Sequence, residues 1–348
     1  MILSLRLQNF RSYVDRTFEF DPGANIIVGP NAIGKTNIIE AILVSRLGSS
    51  YRAKDINLIA FNKPWARLDS QDNSLRVIKL RADQNPGKTF EINDRTYKRL
   101  PSSLKLPVVL FEPNHLQLLN GPPEGRRAYL DNFSEQVDEE YGMVLRKYMR
   151  ALAQRNALLK RITRPTTSQL FPWNIRIGQL AGQIVKARQE LVDRINDNLP
   201  DIYSKLSGDK IKTSLLYKPQ LPTSDYETHY LKKLETSLDD DLRTGFTTHG
   251  PHRDDLAFLF NEHSSSTYAS RGELRTAVLA LKVTELETIK NQTESQPIVL
   301  LDDVYSELDA SRRKALTNYL KNNQTFITTT DADVVANNFT GKNRVIKL

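Results

Sequence analysis

The chain has 348 residues, enough for about two domains or one large domain with an inserted lobe. Its hydrophobic fraction of 39% and charged fraction of 26% are ordinary for a globular protein, and zero Cys excludes disulfides and thiolate metal sites. A net charge of +8 and a pI of 9.4 favour a polyanionic partner, while no apolar run approaches the roughly 18 residues of a spanning helix.

Residues 1–7 alternate as a strand does rather than as a signal peptide, so membrane insertion and secretion are not expected, and a reducing cytoplasm is. Strands are expected at 2–7 and 17–20, followed by the apolar run Asn25-Ile26-Ile27-Val28. That run feeds Gly29-Pro30-Asn31-Ala32-Ile33-Gly34-Lys35-Thr36, and a helix leaves it through Asn37-Ile38-Ile39-Glu40-Ala41-Ile42-Leu43. Strand, phosphate loop and helix follow one another. The glycines let the backbone curl so that successive N–H groups face phosphate oxygens; Lys35 reaches the β- and γ-phosphates, and the Thr36 hydroxyl coordinates Mg²⁺. Residues 49–113 are β-rich: 75–80 alternates, 89–97 reads as a hairpin around Asn93-Asp94, and 107–111 is a buried strand. Residues 124–198 are helical, broken at Arg164-Pro165-Thr166-Thr167 and resuming with Ile177, Leu180, Ile184, Val185, Leu191 and Ile195 at helical spacing. Gly121-Pro122-Pro123 and Leu199-Pro200-Asp201 set its outer limits. A strand at 210–217 and a helix at 228–242 lead back to the nucleotide core. The expected organisation is an α/β nucleotide-binding domain of residues 1–120 and 205–348 with an inserted helical lobe at 121–204.

The second chemical signal is Pro297-Ile298-Val299-Leu300-Leu301-Asp302-Asp303, an apolar strand ending in two carboxylates. Beside a phosphate loop this is a Walker B strand: Asp302 holds the Mg²⁺, and Asp303 orients and polarises the attacking water. The third is Ser270-Arg271-Gly272-Glu273-Leu274, ahead of a helix whose Leu274, Val278 and Leu281 share a face. Locally it is a capping box, which suffices to explain it; a helix N-terminus opening with Ser and Gly is also a second phosphate site. A basic stretch, residues 146–164, holds seven Lys or Arg and no acid. At about 100° per residue Arg146, Arg150, Lys160, Arg161 and Arg164 share one arc, opposite Tyr148, Leu152, Leu159 and Ile162. Phosphate tracking on DNA and a plain solvated face both fit this stripe. Arg155 projects from the apolar side and needs a buried carboxylate or carbonyl. No His has metal-ligand spacing, so Mg²⁺ is the one metal expected.

Taken in order, Gly29 to Thr36, Ser270 to Leu274 and Leu301-Asp302-Asp303-Val304-Tyr305-Ser306-Glu307-Leu308-Asp309 resemble ABC-type ATPases of the SMC/Rad50 class and, within it, the bacterial RecF family. The resemblance includes Leu5-Arg6-Leu7-Gln8-Asn9-Phe10-Arg11-Ser12-Tyr13, Ser50-Tyr51-Arg52-Ala53-Lys54-Asp55, Arg126-Arg127-Ala128-Tyr129-Leu130-Asp131 and Gly250-Pro251-His252-Arg253-Asp254-Asp255. It departs mainly at the signature, usually Ser-Gln-Gly-Gln-Gln in RecF, where Arg271, Glu273 and Leu274 differ but Ser270 and Gly272 are kept.

The resemblance implies an ABC-type ATPase head that binds ATP and Mg²⁺. Ser270 and Gly272 then face the γ-phosphate held by Lys35 of a second copy, so a homodimer closes on two ATPs. Catalysis falls to Lys35 and Asp303, the latter standing where many ABC proteins have Glu; the shorter Asp side chain implies slow hydrolysis, and the resemblance implies that it is DNA-dependent. Ser306 to Asp309 form the D-loop, Thr330 takes the switch position, and the Q-loop residue is Glu112 or Gln117. Arg52 either approaches the phosphates or is a solvated loop arginine. The implied function is an ATP-dependent clamp on duplex and gapped DNA in recombinational repair, supporting RecA loading with RecO and RecR, in the nucleoid-associated cytoplasm. The alternative is a structural SMC-like head. Two arms of about 35 residues reach only about 50 Å, too short for a long tether. A transporter ATPase is third, and the altered signature and missing switch histidine argue against it.

Overall fold

The alternating run at the start forms β1 (Ser4–Phe10), which turns through Arg11, a left-handed residue at φ 52°, into β2 (Tyr13–Glu19). In the computed structural model, which describes residues 1–83, 86–161, 167–293, 295–336, 339 and 343–348, the chain divides into two compact units, residues 1–115 with 285–348 and residues 116–284.

In the first unit, β3 (Ala24–Val28) and α1 (Lys35–Leu47) bracket the phosphate loop. β4 (Trp65–Gln71), β5 (Leu75–Arg81), β6 (Gly87–Ile92) and β7 (Arg95–Tyr97) then join β1 and β2 in an antiparallel sheet of order β2-β1-β4-β5-β6-β7. The expected hairpin closes on Asn93 and Asp94, both left-handed at φ 51° and 59°, the backbone that a two-residue type I′ turn demands. β8 (Val108–Phe111) ends this half of the unit.

The second unit begins with α2 (Gln117–Asn120), α3 (Pro123–Val137), α4 (Glu139–Arg161) and α5 (Phe171–Ser207). The expected limit at Pro200 does not stop α5. Leu199, Ile202, Tyr203 and Leu206 are all buried, and their burial, at ~2 kcal/mol a side chain, outweighs the ~3 kcal/mol that an interior proline costs. β9 (Thr213–Lys218), α6 (Tyr226–Thr236) and α7 (Leu238–Thr244) follow, the last two replacing the single helix expected at 228–242 and meeting at Ser237. β10 (Asp255–Phe260) and β11 (His263–Ser264) complete a sheet of order β11-β10-β9. α8 (Ser265–Tyr268) and α9 (Arg271–Gln292) come next, and from Glu285 the residues of α9 belong to the first unit. This unit extends beyond the expected lobe of 121–204 because β9 and α6 pack along α5, and β10 along α3, rather than joining the nucleotide sheets.

Back in the first unit, β12 (Ile298–Leu301), α10 (Ala310–Leu320), β13 (Thr325–Thr329), α11 (Ala332–Ala336) and β14 (Asn343–Lys347) close the chain. The parallel sheet they form has the order β14-β3-β13-β12-β8. α1 contacts strands of both sheets and buries Ile38, Ile39, Ile42, Leu43 and Val44 around most of its circumference, as a helix between two layers must. Leu68, Phe90, Leu300 and Phe326 complete this core. Among the described residues no helix is long and apolar enough to cross a membrane.

Candidate nucleotide site

The carboxyl ends of β3 and β12 lie on either side of β13, which is where an open parallel sheet offers a crevice. At the end of β3 the chain curls through Ala32 at φ 65° and Gly34 at φ 115° before α1 begins. Gly34 is required twice over. Its left-handed backbone suits glycine, and a Cβ there would lie 2.8 Å from Ser12 Oγ. Ala32 holds a similar backbone with a Cβ attached, so the loop carries strain. Lys35 Nζ lies over the loop and donates to the Gly29 and Pro30 carbonyls at 3.0 and 3.1 Å, while Ile33 is exposed. Asn31 is an exposed loop residue.

The Walker strand delivers Asp302 to this loop. Thr36 Oγ1 donates to Asp302 Oδ1 at 2.9 Å, Thr328 Oγ1 donates to the same oxygen at 2.8 Å, and Tyr51 Oη lies 3.4 Å from Oδ2. Burial pushes the Asp302 carboxyl up from the ordinary Asp range, and the two threonine hydroxyls oppose that shift. Burial likewise raises Tyr51, with the Asp302 charge adding to it, so the phenol stays protonated and donates. Asp303 sits at φ 53°, a backbone that Asp tolerates better than most side chains, and its N–H donates to Thr328 Oγ1 at 2.8 Å. Thr328 therefore bridges both acids. Thr330, expected at the switch position, is exposed, while the register Leu301↔Ile327 sets Thr328 level with the acids.

Arg52 reaches Asn37 Oδ1 at 2.8 Å, so it lies one residue from the phosphate loop, and it also donates to the buried Glu40 at 3.0 Å. Glu40 and its second arginine, Arg11, were not anticipated. An open cleft runs from here past Ser12, Asn37, Ile56, Phe61 and Lys63; none of its described lining residues is acidic, and its Arg11 and Arg52 are paired with the buried Glu40. Of the two Q-loop candidates, Glu112 follows β8 in the first unit and Gln117 starts α2 in the second.

In the second unit Ser270 and Glu273 form the reciprocal capping box: Ser270 N donates to Glu273 Oε2 at 2.8 Å, and Glu273 N to Ser270 Oγ at 3.3 Å. Ser270 and Gly272 remain exposed, with nothing within 4 Å of the space a Gly272 side chain would fill. Along α4, Arg146, Arg150, Lys160 and Arg161 are exposed and Tyr148, Leu152 and Leu159 buried, as the helical pattern requires. Arg164 and Ile162 lie outside the described residues. Arg146 is shared with Glu135 at 2.8 Å. Arg155 is fully buried against Asp241, as its position on the apolar side demanded. Among the described residues no group of three or more His, Cys, Asp or Glu is placed to hold a metal.

Comparison with known proteins identifies the fold and the family. The family described as RecF/RecN/SMC N terminal domain matches residues 1–347. The DNA replication and repair protein RecF of Lactobacillus johnsonii is 35% identical, covering 96% of this chain and 94% of its own. The protein of that name from Agathobacter rectalis is 36% identical over 97% and 94%. A solved structure of the recombination mediator protein RecF-ATPrS in the RecFOR pathway superposes with a TM-score of 0.88 at 30% identity, over 96% and 94% of the two chains. An Smc head bound to a ScpA winged-helix domain shares the fold at a TM-score of 0.56 and 17% identity. The chain has the ABC-type ATPase head fold and belongs to the bacterial RecF family.

Proposed function

We propose that this chain is an ATP-dependent DNA clamp of recombinational repair and replication restart. Two copies close on two ATPs, hold duplex DNA beside single-strand gaps, and let go on slow, DNA-dependent hydrolysis. The observation that carries the reading is the 2.9 Å pairing of Thr36 Oγ1 with Asp302 Oδ1 at the mouth of a phosphate loop. Two hard oxygen donors at one point, with few other carboxylates near, suit an ion that takes most of its ligands from phosphates and water, so these residues fit Mg²⁺. Bound there, Mg²⁺ would neutralise charge on the β- and γ-phosphates. Lys35 exchanges the Gly29 and Pro30 carbonyls for phosphate oxygens, and Asp303 orients the attacking water. Ser270 and Gly272 of one copy face the γ-phosphate on the other; their exposure supports a role in trans. ATP as the nucleotide is supported by the RecF-ATP and RecF-ATPrS relatives.

DNA as the target is supported by the relatives' role in DNA replication and repair and by the exposed Arg150, Lys160 and Arg161 on α4. Arg146 joins them once released from Glu135. RecO and RecR as partners are supported by the RecFOR pathway of the solved relative; loading of RecA and a nucleoid-associated cytoplasmic location complete the proposal. The test is fluorescence anisotropy of labelled duplex and gapped DNA at fixed salt, with and without Mg-ATP. Tightening of tenfold or more, at least about 1.4 kcal/mol of coupling, is expected; DNA binding that is absent or indifferent to ATP overturns the clamp. Ser270→Arg should spare ATP binding and abolish ATP-driven dimerisation in sedimentation. An unimpaired dimer would remove the signature assignment.

A further inference from the structure

The first unit holds a buried carboxylate that neither the loop nor the Walker acids use. Glu40, on the second turn of α1, has no exposed side-chain surface and accepts four hydrogen bonds: from Arg11 Nε and Nη2, both at 2.8 Å, from Arg52 Nη2 at 3.0 Å, and from Ser50 Oγ at 2.5 Å. The two arginines are held unequally. Arg11 meets the carboxylate with two nitrogens in the fork geometry that saturates both partners, whereas Arg52 gives it one nitrogen, and that same nitrogen also reaches Asn37. Two guanidinium charges on one carboxylate leave one positive charge over, and the geometry puts it on Arg52, which is 36% exposed beside the phosphate loop. Its Nε and Nη1 edge has no partner among the described residues.

We infer that Glu40 is a positioning residue for the nucleotide: it tethers Arg52 by one edge next to Asn37 and so presents the free edge of the guanidinium to phosphate. The inference rests on the reading of Gly29 to Thr36 as an ATP site that Arg52 faces. A tethered guanidinium has already surrendered most of its rotamer freedom, so less entropy is lost when a phosphate arrives. Burial alone would raise the Glu40 carboxyl, but the hydrogen bonds from Arg11, Arg52 and Ser50 outweigh it and keep the group below the ordinary Glu range, so the tether is charged throughout the neutral range. A purely structural knot joining the β1–β2 turn, α1 and residues 50–53 is the competing account, and it makes a different prediction.

The test is a double-mutant cycle of Glu40→Gln, Arg52→Ala and the combination, read by titration of a fluorescent ATP analogue with Mg²⁺, with circular dichroism and urea midpoints recorded for each variant. Arg52→Ala is expected to weaken binding about fivefold or more. Glu40→Gln is expected to weaken it about three- to tenfold when Arg52 is present and less than about twofold when Arg52 is already Ala. An equal loss in both backgrounds overturns the positioning role and leaves Glu40 as a structural knot. Should Arg52→Ala leave affinity unchanged, Arg52 does not meet the nucleotide, and the reading underneath fails instead. If Glu40→Gln does not fold, Arg52→Lys carries the test: an ammonium lacks the guanidinium's two separate edges, so it cannot stay on Glu40 by one edge and offer phosphate another. Binding as weak as in Arg52→Ala supports the tether, and unimpaired binding refutes it.

Discussion

Asp241→Ala should cost the second unit a large part of its stability. Arg155 and Asp241 have no exposed side-chain surface, and their N–O distance is 2.7 Å. The other Asp241 oxygen accepts from Thr248 N at 2.9 Å and Thr248 Oγ1 at 2.6 Å, and the guanidinium also donates to Asn174 and Thr247. Removing the carboxylate leaves a buried cation with only neutral acceptors, a loss of about 3–5 kcal/mol. Domains of this size have about 5–15 kcal/mol in all. The chain's two tryptophans, Trp65 and Trp173, fall one in each unit, so in a Trp65→Phe background fluorescence reports on the second unit alone. With a urea slope of about 2 kcal/mol per M, the midpoint should fall by about 1.5–2.5 M. A fall under about 0.5 M at unchanged slope would refute the argument. Replacing both partners, Arg155→Met with Asp241→Leu, should recover most of the loss, because an apolar pair of similar volume leaves no charge to solvate.

Thr328→Val keeps the shape of the side chain but leaves Asp303 N–H unpaired and Asp302 one donor short; the first unit should lose about 1–3 kcal/mol, and kcat for ATP should fall further than nucleotide affinity. Unchanged hydrolysis would show that Thr328 does not align the acids. Ala32→Gly should relieve the left-handed strain and stabilise the first unit by about 1 kcal/mol, a rise of about 2–4 °C in a calorimetric scan, and a lowered Tm counts against that account. His252, buried and accepting from Tyr148 Oη, is pushed down by burial from 6.5 to about 4, so the fold selects the neutral ring. Its stabilisation is complete above pH 6.5 and is lost as pH falls toward 4, roughly 3 kcal/mol across that window. His252→Gln should flatten the dependence of the Trp173 urea midpoint on pH between those limits, whereas a slope equal to wild type would place the titration elsewhere. Asp254, raised by burial, contributes with the opposite sign and is common to both proteins.

What could be read from the chain was what neighbouring residues decide among themselves. The phosphate loop, the strand ending in Asp302-Asp303, the Asn93-Asp94 turn and the Ser270 capping box all depend on contacts within a few residues. Thr328 was missed because choosing among three consecutive threonines requires the register of β13 on β12. Glu40 was missed because a helical Glu ordinarily faces water; its burial depends on Arg11 and Arg52, brought from 29 and 12 residues away. The boundary of the second unit escaped for the same reason, since β9 and β10 reveal their allegiance only by what they pack against. Pro200 misled because its helix-breaking tendency is local, while the apolar face that overrides it is tertiary.

The order in which the strands of the parallel sheet occur along the chain bears on how the protein is made. Residues 116–284 are contiguous, so the second unit can fold while the ribosome is still at work. The sheet beneath the phosphate loop cannot: β3 and β8 are synthesised early, but β12, β13 and β14 arrive only from residue 298 onward. Until then α1 has one of its two apolar faces uncovered and Thr36 lacks Asp302. Nascent chains therefore offer a chaperone an exposed hydrophobic helix, and before β12 emerges they lack the Thr36–Asp302 pair proposed to hold Mg²⁺. In the clamp proposed above, a half-made subunit would thereby be kept from joining a finished one.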